Sequence, residues 1–277
     1  MSVVRTEISP GTVRAEVPVP GRLGQVWKAI TRRDPVSMWF GDLSSDIVPG
    51  QDNRLDFGDG DFFTIENVFV NPQAKIEYSW SFLGTGPRNS ITWQVLDHGE
   101  QCLVIVTDSE PARNEATCLE LAEGWTDFLE RLERHQRTGE FARYDWRRDF
   151  DGCIELPVSP ADAARALAPN PGRFLWPPIE AALRGEPVTL EALQSNTAIL
   201  EFQLQDQSWK QPTTCRMEIV ARPNDASAIV IRHNGWADIS DAPRFCMLER
   251  RRFSEKWIAA LKEARELVIK AASACVQ

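Results

Sequence analysis

The sequence predicts an α+β fold built twice, as two tandem copies that are each a curved antiparallel β-sheet wrapped around a long C-terminal α-helix. Three observations carry this expectation. The stretch Glu16-Val-Pro-Val-Pro20 is echoed by Glu155-Leu-Pro-Val-Ser-Pro160. Each echo leads through a short helical run, then strand-like segments broken by turn residues. Each half then closes on an amphipathic helix with a central tryptophan, Trp125 or Trp257. A sheet with one apolar face and a helix with one apolar stripe bury both by packing together, which makes the layered α+β arrangement the simplest one.

Within the first copy, Thr12 to Pro18 alternates and is rich in β-branched residues, so it reads as a strand. Gly21 to Ile30 sets Leu23, Val26, Trp27 and Ile30 at spacings of three and four, the mark of a short amphipathic helix. From there to Ser109 nearly everything reads as strand. The punctuation is Pro49-Gly50, Gly58-Asp59-Gly60, Asn71-Pro72, Gly84-Thr85-Gly86-Pro87 and His98-Gly99. Alternation puts Ile76, Tyr78, Trp80 and Phe82 on one face of a strand, and Ile91, Trp93 and Val95 on one face of the next. On Phe62 to Val70 it groups Phe63, Ile65, Asn67 and Phe69, opposite Thr64, Glu66 and Val68. A helix over about Ala116 to Thr138 closes the copy, with Leu121, Trp125, Phe128, Leu129 and Leu132 on one face.

The second copy repeats the order. Trp39 and Trp176 each follow the first helical stretch of their half. Thr64, Ile65, Glu66 and Asn71 correspond to Thr189, Leu190, Glu191 and Asn196, and Asp108 corresponds to His233. It is also shorter: residues 40 to 59 separate Trp39 from Gly60, whereas only 177 to 184 separate Trp176 from Gly185. The missing dozen amounts to about two short strands and a turn. The expected division is a complete domain over 1–140, a linker over 141–149 and a degenerate second domain over 150–277.

Composition narrows the function. With a net charge of −9 and no basic stripe interleaved with aromatics, the chain is a poor partner for nucleic acid. Arg250-Arg251-Arg252 reads as a solvated helix face. No apolar run is long enough to enter a membrane and no secretory leader is recognisable, so a cytoplasmic location is expected. Six cysteines without a CxxC or CxxH pair suggest reduced core thiols; no metal and no cofactor is expected. Nucleophile elbows, phosphate loops and dinucleotide fingerprints do not occur, and Gly50, Gly58 and Gly60 read as turn glycines.

Taken together, the frame resembles the SRPBCC (START-like, helix-grip) superfamily. Its pieces are EVPVPGRLGQVWKAIT, Trp39 soon after, the Gly60 to Glu66 strand, an aromatic strand ending in Trp80, and EGWTDFLERLE. Within the superfamily it is most similar to the branch of the C-terminal domain of the activator of heat-shock protein ATPase. In the second copy Ala164 and Ala168 stand where Trp27 and Thr31 would be expected. The resemblance implies a deep apolar cavity between sheet and helix for a hydrophobic small molecule, polyketide-like or lipid-like. The protein would serve as carrier, as self-resistance protein, or as a cyclase or dehydratase of the polyketide cyclase/aromatase type. The alternative it implies is an interaction module with a chaperone partner.

Ten tryptophans and thirteen phenylalanines suit an apolar pocket, and equally a filled core. The candidate ligand-binding set is Trp27, Trp39, Phe63, Tyr78, Trp80, Trp93, Trp125 and Asp108 in the first copy, with His233 in the second; no catalytic residue stands out. Glu66 and Glu191 are either acid–base groups or surface ion pairs. The Tyr78 hydroxyl either orients a ligand carbonyl or satisfies a buried group. His98 reads as an exposed turn residue and His135 as a cation at a helix C-terminus. The two copies are expected to pack on each other, and the first is expected to carry the ligand.

Overall fold

The computed structural model describes residues 3–196 and 198–274. Its backbone divides into two compact units. The first comprises residues up to Gly58, Phe62–Gly84 and Arg88–Asp145; the second comprises Asp59–Asp61, Thr85–Pro87 and the residues from Trp146 on.

The first unit opens with strand β1 (Arg5–Ser9), followed by β2 (Thr12–Pro20), helix α1 (Leu23–Thr31) and a short helix α2 (Arg33–Ser37). Strands β3 (Asp42–Leu43), β4 (Asn53–Asp56), β5 (Phe62–Asn71), β6 (Lys75–Phe82), β7 (Arg88–Asp97) and β8 (Gln101–Ser109) follow, then helix α3 (Glu115–Thr138). The sheet is antiparallel throughout, in the order β1-β2-β8-β7-β6-β5-β4-β3. Pairing β2 with β8 carries the meander back to its first strand, so the sheet curves and α3 packs along β2. Helix α3 starts where the Asn114 side chain accepts the Thr117 N–H at 2.9 Å. It stops at Gly139, whose left-handed φ of 74° lets its N–H return to the His135 carbonyl. Of the expected inner face, Trp125, Leu129 and Leu132 are buried.

Three local readings need correction. The strand-like run expected after Ile30 contains α2, and an additional edge strand, β1, precedes Thr12. On β5 the alternation fails at Asn67, whose φ is 56°, where the pairing with β6 slips between Glu66 and Phe69. One extra residue in a strand reverses every later side chain. Val68 is therefore 2% exposed beside Ile65, and Phe69, expected on the same face as Ile65, is 68% exposed.

In the second unit β9 (Phe150–Leu156), α4 (Pro160–Leu167) and α5 (Pro177–Leu183) lead to β10 (Val188–Ser195), β11 (Ile199–Asp206), β12 (Thr213–Arg222) and β13 (Ala226–Asn234). A 3-10 turn (Trp236–Asp238) and helix α6 (Pro243–Ala274) complete it. The five-stranded antiparallel sheet runs β10-β11-β12-β13-β9. Where the first unit has β3 and β4, the second has α5, so β10 is a sheet edge. Leu190, aligned with the buried Ile65, is consequently 38% exposed.

Arg250, read as part of a solvated face, is fully buried within the second unit. Its guanidinium makes two bonds of 2.9 Å to the Asp61 carboxylate and donates to the Asp59 and Asp149 carbonyls. Arg147 donates to the same Asp61 carboxylate at 3.1 Å. Gly60 sits between the two aspartates with φ +104°, and a Cβ there would lie 2.9 Å from the Ser254 Cβ. The other two arginines do face outward, Arg251 toward Glu255 and Arg252 toward Glu186 and Glu249. A triplet of like residues cannot reveal which member turns inward; helical geometry points one of three away from its neighbours.

Candidate ligand site in the first unit

The concave face of the first sheet and the inner face of α3 enclose a continuous aromatic stack. Trp80 on β6 lies between Phe63 on β5, with centroids 3.9 Å apart, and Trp125 on α3, 5.3 Å away, all nearly parallel. Trp93 on β7 meets Trp125 edge-on at 5.5 Å and Trp39 edge-on at 6.3 Å. Trp39 in turn stacks on Phe40, which contacts Phe128. Each favourable ring pair adds about 0.5–1.5 kcal/mol beyond the area it buries, so the stack helps to hold sheet and helix together. Trp27 is only partly buried and packs against this core from α1.

The deep cavity that the resemblance implies is reduced in this conformation to about 20 Å³, lined by Trp39, Phe40, Tyr78, Trp93 and aliphatic neighbours. That is room for about one water. Aromatic side chains occupy the rest.

Polar groups enter this interior at few points. Asp108, at the end of β8, is fully buried and ion-paired with Arg113 at 2.7 Å, while its second oxygen accepts the Trp125 indole N–H at 3.2 Å. Burial pushes its carboxyl up, against the pull of Arg113 and Trp125. The Tyr78 hydroxyl accepts the Trp93 indole N–H at 2.9 Å, and burial pushes its pKa up, so it remains protonated. Trp39 spends its N–H on the Ala29 carbonyl at 2.8 Å. The Trp80 N–H is buried and has no partner among the described residues.

His233 belongs to the second unit. There the Trp257 indole N–H donates to its Nδ1 at 2.8 Å, which forces the proton onto Nε2, where the Thr213 hydroxyl accepts at 2.8 Å. Burial, and then the charge of Arg250, bring its pKa from 6.5 down to about 3. Both units thus use the same device, a tryptophan on the closing helix donating to a buried acceptor on the last strand. Glu66 forms an ion pair with Arg88 at 2.5 Å, and both are substantially exposed. Glu191 is exposed, as is His98. Four cysteines are buried free thiols and Cys153 is half-buried; Cys275 lies outside the described residues. Among the described residues no cluster has the makings of a metal site, and no helix is long and apolar enough to cross a membrane.

One feature sequence reasoning missed is the segment after α3. The Ala142 carbonyl accepts from Arg131 and Arg134, and its N–H donates to the Met38 carbonyl at 2.8 Å. Arg143 pairs with Asp42 and donates to the Phe57 carbonyl. Tyr144 thereby stacks on Phe57, with centroids 5.6 Å apart, and approaches Phe128. The segment is strapped over the half-buried rim of the aromatic stack. The run of Arg and aromatic residues in FARYDW was its only trace in the sequence.

A family model described as activator of Hsp90 ATPase homolog 1-like protein matches residues 22–136. Among solved structures, DynU16, a protein of the dynemicin biosynthetic locus, is 31% identical with a TM-score of 0.79, covering 94% of this chain and 100% of its own. CalU16 from Micromonospora echinospora is 16% identical with a TM-score of 0.39, over 50% of this chain and 87% of its own. MLL2253 from Mesorhizobium loti is 21% identical with a TM-score of 0.41, over 46% and 98%. No curated protein matches significantly. The chain therefore belongs to the SRPBCC (START-like, helix-grip) superfamily, in its heat-shock ATPase activator-like branch, as tandem copies of which the second is degenerate.

Proposed function

We propose that the first unit binds a hydrophobic small molecule, polyketide-like or lipid-like, in its aromatic interior, as a carrier or self-resistance protein. The observation that carries this is the stack of Phe63, Trp80 and Trp125, which runs from the core to a half-buried rim under the Tyr144 segment. A ligand larger than the 20 Å³ cavity enters by displacing rings and loosening that segment. Holding is favoured over acid–base chemistry because both Asp108 oxygens are already engaged and Tyr78 keeps its proton. Native mass spectrometry of freshly purified protein, with a thermal-shift screen of aromatic polyketides and fatty acids, tests it. Retained mass or a raised Tm is expected, because a ligand at a hundredfold excess over its Kd adds about 2.7 kcal/mol. A clean unliganded spectrum with no shift overturns the proposal.

The description of the matching family model favours a second reading, a protein-interaction module that acts on a chaperone ATPase. Stimulation of that ATPase by the purified protein would support it; an unchanged rate removes it.

A further inference from the structure

Buried hydrogen-bond donors are almost always satisfied, because one left over has lost its water and gained no acceptor, so an unpaired donor in an interior calls for a reason. The first unit has two on one strand. The Trp80 N–H meets no acceptor among the described residues. Tyr78, 7% exposed, accepts from Trp93, but its own proton has no acceptor among them either. Being two residues apart, they project from the same face of β6, with ring centroids 6.1 Å apart. Tyr78 also lines the 20 Å³ cavity, whose remaining wall is aliphatic and aromatic. The aromatic interior thus offers donors without acceptors. Trp176, Trp209 and Trp236 in the second unit also have N–H groups without a partner among the described residues. The Tyr78–Trp80 pair differs in setting two donors on one face of a strand, Tyr78 at the cavity wall and Trp80 within the ring stack.

Resting on the binding reading above, we propose that this interior recognises planar aromatic ligands carrying acceptor oxygens, of the quinone or aryl-ketone class, through the Tyr78 O–H and the Trp80 N–H. The ring system supplies the stacking partner for Trp80 and Trp125, and the oxygens supply the missing acceptors. A saturated acyl chain would leave the stacking surface unused.

Equilibrium dialysis of the full chain against 9,10-anthraquinone, anthracene and palmitate tests this, in the wild type and in Tyr78→Phe and Trp80→Phe. We expect anthraquinone to bind about tenfold tighter than anthracene, the effect of about 1.4 kcal/mol of hydrogen bonding. Each substitution should erase most of that ratio, with the far-UV spectrum reporting that the variant is folded. Tyr78→Phe keeps its ring and should hold anthracene as the wild type does, whereas Trp80→Phe also trims the stack and should weaken both aromatic ligands. Equal affinities for anthraquinone and anthracene, or palmitate bound tightest, overturn the inference and leave the binding reading standing. Parallel loss of both aromatic ligands in the variants, with their ratio kept, overturns it too, because the two side chains then act only by packing. Failure of all three ligands to bind the wild type overturns the binding reading and the inference with it.

Discussion

Asp108 and His233 occupy the same place in their copies and accept the same tryptophan N–H, yet they are held by different chemistry. Asp108 is a buried charge balanced by Arg113; His233 is a buried neutral ring capped by Thr213. Removing one partner of a buried ion pair costs about 3–5 kcal/mol, so Arg113→Met should lower the urea-unfolding free energy by that amount. His233 makes the second unit acid-sensitive. Its pKa is about 3 when folded against an ordinary 6.5, so between those values the unfolded chain takes up a proton that the native ring refuses. Stability should therefore fall as the pH drops from 6.5 toward 3, by up to about 1.4 kcal/mol per pH unit. His233→Asn, which keeps an acceptor but cannot ionise, should flatten that slope in denaturation curves taken at pH 7 and pH 5. An unchanged slope would assign the acid sensitivity to other groups.

At the scale of elements, two segments between regular structures matter most. The Tyr144 segment is held by Arg131, Arg134 and Arg143 through backbone carbonyls and the Asp42 carboxylate. Tyr144→Ala should quicken ligand association and raise acrylamide quenching of tryptophan fluorescence without changing the far-UV spectrum; stopped-flow mixing measures the first. The Asp59-Gly60-Asp61 turn has the opposite character. A side chain at Gly60 would meet Ser254 and the Arg251 backbone, in a conformation that L residues rarely adopt. Gly60→Ala should cost at least about 1 kcal/mol. The bulge at Asn67 belongs to the same scale: it places Val68 inside and Phe69 outside, and simple alternation along β5 had no means of showing it.

Across the whole molecule the duplication allows an internally controlled experiment. Trp125→Phe and Trp257→Phe each remove an indole N–H from a buried acceptor and each should lower Tm. Only Trp125→Phe should also weaken ligand binding, because its ring is part of the stack with Trp80 and Phe63. Equal loss of binding in both would place the site elsewhere. The two-copy architecture was legible because periodicity, turn residues and the order of Trp39, Glu66 and Trp125 are local facts repeated in the second half. Tyr78, Trp80, Trp93 and Trp125 were legible as inward-facing for the same reason, since strand and helix periods assign faces without knowledge of the partner.

What the sequence by itself determined is which residues share a face and in what order the elements follow, because those depend on neighbours along the chain. Which hydrogen bonds those residues spend depended on tertiary structure. Arg250 is buried because Asp61, distant in sequence, meets it there. The Trp80 N–H and the Tyr78 proton are left over because, among the described residues, no acceptor from another strand reaches them. The cavity is held to about 20 Å³ because Tyr78 from β6 and Trp93 from β7 converge there with Trp39, Phe40 and aliphatic side chains from α1, α2 and β3 to β5. Such outcomes depend on distances between segments far apart in the chain, which folding alone sets.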